Sequence, residues 1–326
     1  MIRRLVVLAA ALATSGCFVS LGGSLPFLGG HQPLEEVTVE GEGRDKILLV
    51  DLSGVISDMP SRRAFGLVEE ESTVARIRSE LERATDDHRV KAVVLRINSP
   101  GGGVTASDEI YGELVRFKRE RKLPVVAALG DLAASGGYYV ACAADRIVAH
   151  PTTVTGSIGV ILMNFNLEGL LGKIGVQNET FKAGEHKDLL SPFRGATPEE
   201  RRIVQSILDG LHARFVTVVR ESRPGLATTR LAELTDGRIF DASAALDAGL
   251  VDQIGDLRAA LDVAKAGARV ERARVVMYRR PSEGRENIYS RAGGAPLQVN
   301  VLPVDLGGLT GTGPRFMYLW APGLRD

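Results

Sequence analysis

Two apolar runs in this chain each break at a glycine-bearing loop and resume as a helical pattern, and that repetition constrains the fold more than any other feature. Lys91-Ala92-Val93-Val94-Leu95-Arg96-Ile97 reads as a buried strand and Asn98-Ser99-Pro100-Gly101-Gly102-Gly103 as a loop, with a helix expected to begin near Thr105 and Asp108 as its capping partner. The pattern recurs in Pro124-Val125-Val126-Ala127-Ala128-Leu129, then Ala134-Ser135-Gly136-Gly137, then an apolar helix through Tyr138 to Ala144. Further upstream, Lys46-Ile47-Leu48-Leu49-Val50 has the core of a strand, and Val74, Ile77, Leu81 and Ala84 follow at helical spacing. Strands alternating with helices imply a mostly parallel sheet whose loops at the strand C-terminal ends are free to build a site.

The two loops carry chemistry as well as topology. Glycine lets backbone approach a ligand closely, and amides left open near a helix N-terminus can hold a developing negative charge. A serine at a strand-to-helix junction is placed as a nucleophile; read alone, Ala134-Ser135-Gly136-Gly137 is more simply a tight turn with a serine cap. The second loop changes that balance, because Gly102 and Gly136 amides together would make an oxyanion hole. No lysine follows either loop at Walker spacing and no GxGxxG pattern is present, so a nucleotide is a poor fit.

With these segments in place, the chain resembles the signal peptide peptidase A family of serine proteases. The resemblance rests on Asn98-Ser99-Pro100-Gly101-Gly102, Ser135-Gly136-Gly137-Tyr138-Tyr139, Ala144-Asp145-Arg146-Ile147, residues 151–160 and Lys182-Ala183-Gly184-Glu185-His186-Lys187-Asp188, in family order within roughly residues 45–263. Asp236-Gly237-Arg238-Ile239-Phe240 and Ala248-Gly249-Leu250-Val251-Asp252 resemble the family's closing segment. It implies an α/β fold of the crotonase and caseinolytic-protease kind, with repeated β-β-α units and a mostly parallel sheet. It further implies a Ser135 nucleophile, a Lys187 general base, an oxyanion donor at Gly102 and a lysine-orienting hydroxyl at Ser157. The resemblance favours a homo-oligomer in which neighbouring subunits help complete the site, and peptide substrates such as signal-peptide remnants.

A lysine base must be neutral to accept a proton, and a free lysine near 10.4 is charged at pH 7, so the role demands desolvation. Leu189, Leu190 and Phe193 could supply an apolar wall, whereas Glu185 and Asp188 would favour the ammonium if they faced it. In an extended segment Asp188 and His186 would point away from Lys187, and Glu185 would share its face. Of the five histidines, His31, His88 and His212 read as solvated, while His150 and His186 are the rival bases. Lys182, ending the run 176–181, reads as a surface lysine at a strand end.

The N-terminus has the basic Met1-Ile2-Arg3-Arg4, then nine apolar residues, 5–13, too few to span a bilayer, and then Ser15-Gly16-Cys17. This resembles a bacterial lipoprotein signal in which Cys17 is lipidated, although Thr14 departs from the aliphatic residue of that pattern. Cys142, the only other cysteine, lies on the apolar helix and reads as core, so no disulfide framework is expected. Residues 1–17 are thus a signal, 18–44 a tether, 45–268 the peptidase domain and 269–326 an extension of unknown role. Thr197-Pro198-Glu199-Glu200 opens a long helix with apolar Ile203, Ile207, Leu211, Phe215 and Val218. Phe316 to Trp320, flanked by Pro314 and Pro322, is an apolar β-prone run expected to be buried on the catalytic domain or on a neighbouring subunit, an added strand near a substrate groove being one way to dock.

Hydrophobic residues make up 44% of the chain and its formal net charge is zero, with no basic stripe, which excludes nucleic acid as an expected partner. The expectation is a cofactor-free serine endopeptidase tethered to the membrane of a bacterial envelope and facing the periplasm. Acyl-CoA chemistry on a related fold, or a non-catalytic lipoprotein scaffold, would need neither Ser135 nor Lys187.

Overall fold

The computed structural model describes residues 33–63, 68–226, 228–280, 287–289 and 316–320. In chain order the strands are β1 (Glu35–Glu40), β2 (Asp45–Ser53), β3 (Ser61–Arg63), β4 (Val68–Glu70), β5 (Val90–Ser99), β6 (Gly101–Gly103), β7 (Val125–Ala134), β8 (Arg146–Ala149), β9 (Val154–Gly156), β10 (Ile161–Leu162), β11 (Ile239–Asp241), β12 (Gln253–Ile254), β13 (Ala273–Arg279) and β14 (Phe316–Leu319). The helices are α1 (Thr73–Asp86), α2 (Val104–Arg121), α3 (Gly136–Ala141), α4 (Glu168–Lys173), α5 (Pro198–Ser222), α6 (Thr228–Leu234), α7 (Ala242–Asp247) and α8 (Leu257–Ala268).

The main sheet runs β1-β13-β2-β5-β7-β8-β12, with β9 and β11 branching from β7. Every pairing from β13 to β12 is parallel, and β7 pairs parallel with β9. Only the edge strands β1 and β11 pair antiparallel. Strand alternation supplies the two cores. Leu48, Val50 and Leu52 face the larger one with Ile77, Leu114 and Phe215, whereas Ile47 and Leu49 face a second, sealed by Leu261 and Ala264 of α8. Each such aliphatic side chain, taken fully out of water, contributes about 1.5–3 kcal/mol before the entropy of ordering is set against it. Parallel strands covered on both faces explain why β2, β5 and β7 read as continuous apolar runs rather than alternating ones.

Helix α5 carries the expected capping box, with Thr197 Oγ1 accepting from the Glu200 amide and the Glu200 carboxylate accepting from the Thr197 amide. Its C-terminal half buries Phe215, Val218 and Val219, but Ile207 stays 42% exposed, so part of the apolar stripe faces away from this chain's core. Helix α2 differs from expectation at its start: Gly103 is the N-cap with no side-chain cap, and Asp108 is engaged elsewhere. His212 is half-buried and bonds the Thr235 carbonyl rather than standing in solvent.

Two expected boundaries move. Residues 35–40, placed in the tether, form β1 and pair with β13, and β13 itself, beyond residue 268, lies in the same sheet between β1 and β2. The compact unit begins at Leu34. Short polar edge strands give weak sequence signals, because their register comes from partners hundreds of residues away. The expected signal, Cys17 and residues 18–32 lie outside the described residues, among which no helix is long and apolar enough to cross a membrane.

A second, three-stranded sheet, β10-β14-β6, lies beside the main one. It is antiparallel throughout, and β6 is also bridged by Ile56, whose amide donates to Gly101 and whose carbonyl accepts from Gly103. A Cβ on Gly102 would lie 2.1 Å from the Ile56 carbonyl oxygen, whereas one on Gly103 would meet nothing closer than the Ala106 side chain at 3.6 Å. Gly102→Ala is therefore expected to lower unfolding free energy by about 1–3 kcal/mol through forced backbone displacement. Gly103→Ala should change it by less than about 0.5 kcal/mol, both read by denaturant unfolding.

Candidate active site

The site forms where the glycine loops after β5 and β7 meet. A Cβ on Gly136 would stand 3.1 Å from the Gly101 Cα and 2.5 Å from Ser107 Oγ, and one on Gly101 would stand 2.6 Å from the Gly136 amide nitrogen. Only two glycine backbones can approach so closely, which is the physical reason both loops carry them.

Ser135 caps α3 in the left-handed region, at φ 53° and ψ −117°. A non-glycine residue held there stores backbone strain, of order 1–3 kcal/mol, and such positions cluster at functional sites. Its amide is anchored by the Gly156 carbonyl at 2.8 Å and its carbonyl accepts from Tyr139. The side chain is left free: Ser135 is 1% exposed, and its Oγ has no hydrogen-bond partner among the described residues. A buried hydroxyl without a partner costs roughly 1–3 kcal/mol, so this one is kept for something other than stability.

Ser157 is placed by strand register. Ala134 of β7 stands opposite Gly156 of β9, so the residues that follow, Ser135 and Ser157, leave the sheet side by side. Ser157 repeats the positive φ, at 50°, is 8% exposed, and is tied through its amide to the Arg238 carbonyl. Ser135, Ser157, Gly102 and Gly136 are thus gathered at one end of the sheet.

Lys187 is not gathered with them in the single chain. It sits on a turn, exposed, its amide donating to the Gly184 carbonyl, and its Nζ makes no bond to Ser135 or Ser157. The segment around it is not extended, so the alternation argument for Asp188 does not apply, and residues 176–181 form no strand. Asp188 is nevertheless turned to other partners: its carboxylate accepts from Lys182 Nζ at 2.6 Å and from Arg194 Nε and Nη2 at 2.7 Å. Lys182, read as a plain surface lysine, is thus a tie within the turn. Arg194 continues to Glu200 at the start of α5 through Nη1 at 2.8 Å and Nη2 at 2.5 Å. These bonds to Arg194, with the Thr197 amide, hold the Glu200 carboxyl down at about 2, and Arg194 with Lys182 depresses that of Asp188. Sequence reasoning missed this clamp; Arg194 between two carboxylates six residues to either side was its only signal.

The rival histidines do not bond Ser135. His150 Nδ1 pairs with Thr152 Oγ1 at 2.8 Å, His186 is exposed, and Ser135 Oγ bonds neither. Cys142 is a buried core residue whose thiol burial pushes upward.

One further element occupies the site. The strand β14 lies antiparallel between β10 and β6, with Tyr318 opposite Gly102. A Cβ on Gly101 would stand 1.9 Å from the Tyr318 carbonyl oxygen, and one on Gly136 would stand 3.1 Å from it, so that carbonyl lies against both glycine loops. A segment of the chain's own tail is thus seated, extended, against the loop that carries Ser135.

The chain is similar to proteins already known. The profile described as Peptidase family S49 matches residues 117–271. A putative signal peptide peptidase SppA of Enterococcus faecium is 38% identical over 79% of this chain and 74% of its own length. The chloroplastic serine protease SPPA of Arabidopsis thaliana is 34% identical, and protease 4 of Haemophilus influenzae 36%. Those alignments take in 79% and 68% of this chain but only 38% and 34% of the relatives' lengths. Among solved structures, a membrane-bound stomatin-specific protease superposes with a TM-score of 0.43 at 16% identity, covering 68% of this chain and 85% of that one.

The Arg194 clamp has a pH signature. Glu200 is depressed from 4.5 to about 2, so its contribution to the folded turn is complete above about 4.5 and is lost as pH falls toward 2. Protection of residues 182–196 against hydrogen exchange, taken relative to the intrinsic rate at each pH, should therefore fall as pH drops across that window in the native chain. Arg194→Ala should exchange fast already at pH 7, while protection in β5 and β7 stays unchanged.

Proposed function

This chain belongs to peptidase family S49, and from that premise we propose that it is a serine endopeptidase with a Ser135–Lys187 dyad, tethered to a membrane and acting outside the cytoplasm on peptides such as signal-peptide remnants. The observation that carries the reading is the buried, unbonded Ser135 Oγ beside two glycine loops against which a peptide carbonyl is already seated.

In the proposed reaction Ser135 Oγ attacks the scissile carbonyl carbon while neutral Lys187 Nζ takes the hydroxyl proton. The carbonyl oxygen becomes an oxyanion held by the Gly102 and Gly136 amides. As the C–N bond breaks, the lysine returns its proton to the leaving amine. Water then adds to the acyl-enzyme, giving its proton to Lys187 and its oxygen to the product carboxyl, and Ser135 regains its hydrogen when the ester bond breaks. Ser157, beside Ser135, is proposed to orient the amine.

Bringing Lys187 to Ser135 is assigned to assembly. Phe165, Leu170, Ile174 and Phe181 on the segment leading to Lys187 are 60%, 58%, 65% and 94% exposed, a set of large apolar groups that solvent does not favour. Packing this arm on a second copy would bury them and carry Lys187 into an apolar setting, with Asp188 already withdrawn to Arg194.

Ser135→Ala, Lys187→Ala and Lys187→Arg should each cut kcat on a peptide substrate by at least about 10³-fold with the fold retained, since arginine cannot become the base. Near-native turnover by Lys187→Ala would remove lysine from the mechanism. For the tether, intact-mass measurement of the mature protein should find Cys17 as the first residue, carrying lipid. Cleavage elsewhere, with Cys17 absent or unmodified, would rule the lipid anchor out.

A further inference from the structure

We propose that Arg194 is a positioning residue for the reaction: it takes the Asp188 carboxylate away from the neighbouring Lys187 and so leaves that lysine free to give up its proton at a working pH. The inference rests on the reading of Lys187 as the base and assigns a residue that governs it.

The base stands next to an unfavourable neighbour. A carboxylate within about 4–6 Å of an ammonium favours the charged form, and Asp188 follows Lys187 directly on a turn. The backbone alone does not keep the two apart, because this turn is not extended and does not send adjacent side chains to opposite faces. Hydrogen bonds separate them instead. Asp188 Oδ2 accepts from Arg194 Nε at 2.7 Å, and Oδ1 accepts from Arg194 Nη2 at 2.7 Å and from Lys182 Nζ at 2.6 Å. Both oxygens are therefore taken, and neither by Lys187.

The position suits arginine alone among the cations. Its Nε–Nη2 edge faces Asp188, its Nη1 and Nη2 reach Glu200 at 2.8 and 2.5 Å, and Nη1 also donates to the Gly195 carbonyl at 3.1 Å. A lysine has no second edge with which to span two carboxylates. Glu200 is buried at the start of α5, where the Thr197 amide fixes its carboxylate, and the Gly195 amide is held by Glu168 of α4. The guanidinium is thus anchored to two helices while the turn it restrains stays exposed.

The cluster is also closed in charge. Asp188 and Glu200 are balanced by Lys182 and Arg194, so the group as a whole presents no net charge to Lys187. Hydrogen bonds from Arg194, then from Lys182, hold the Asp188 carboxyl well below its ordinary range, so these pairs persist at every pH where a lysine could be neutral. Around the turn Glu179, Glu185, His186 and Glu199 are exposed, where water screens them, and Glu168 is taken by Gly195. On the serine side Ser135 and Ser157 are uncharged, and Arg238, whose carbonyl anchors Ser157, is paired with Asp236 and Glu233. Asp188 is the carboxylate whose release would matter most, since it adjoins Lys187 in the chain.

The test is the pH dependence of kcat/KM on a peptide substrate with the full chain. Removing the guanidinium leaves the cluster one charge negative beside Lys187, which favours the ammonium, so in Arg194→Gln the rising limb should move up by about one to two pH units. At a pH on the native slope that is a loss of about 10- to 100-fold, with recovery to within about threefold of native once pH exceeds the shifted limb. Adding Asp188→Asn to Arg194→Gln restores a balanced cluster and should return the limb to its native position. Glu200→Gln weakens the same tie to α5 but leaves Asp188 covered and the cluster one charge positive, so its limb should not rise. A limb that stays put in Arg194→Gln, or activity lost equally at every pH in the single and double variants, would overturn the inference and leave Arg194 a structural tie. Lys187→Ala protein that keeps both its turnover and its limb would sink the reading of Lys187 as the base instead.

Discussion

Backbone touching backbone, where Gly101 meets Gly136, is the constraint on which the rest of this site depends. The two loops end parallel strands, β5 and β7, that pair from Val93–Val125 to Ser99–Ala133, so their positions are inherited from a fully buried sheet. Once the loops are in contact, Ser135 can be held at a positive φ, and β6 is left with one edge for Ile56 and the other for a peptide. Any side chain at the contact would separate the loops and dissolve all of these at once.

The site also shows how stability and reactivity are divided. The strain at Ser135 and Ser157 and the unpaired hydroxyl of Ser135 are costs, of order a few kcal/mol together. They are carried by a sheet whose central strands are almost wholly buried. The turn bearing Lys187 has no such support and depends on charge-assisted bonds from Arg194 to Asp188 and Glu200, anchored to the capped start of α5. Ser135 is thus built into the buried part of the molecule, and Lys187 is carried on an exposed turn fastened at one end.

Much of this was legible in the sequence where the signal is local. Buried parallel strands write themselves as runs such as Leu48-Leu49-Val50, a cap writes itself as Thr197 with Glu200 three residues on, and the glycine loops mark the ends of two strands through residue size alone. The β-prone run at the C-terminus announced a docked strand, and it docks. Asp108 was misread because a carboxylate near a helix start looks like a cap. Its actual partners, Tyr139 and Arg214, come from helices that approach only in three dimensions.

By itself, then, the sequence determined the class of fold and the two glycine loops, with Ser135 standing between a buried strand and a short helix, since each depends on residue size, backbone freedom and burial within a few positions. The tertiary structure alone decided the edges of the domain, through β1 and β13, and the partner of Asp188. It alone set Tyr318, rather than a neighbour, in the pocket over Tyr139 and Phe215. Those outcomes depend on which distant surfaces meet and in what register. A one-residue slip along β6 would turn Tyr318 away from the pocket while leaving every local preference of the chain unchanged.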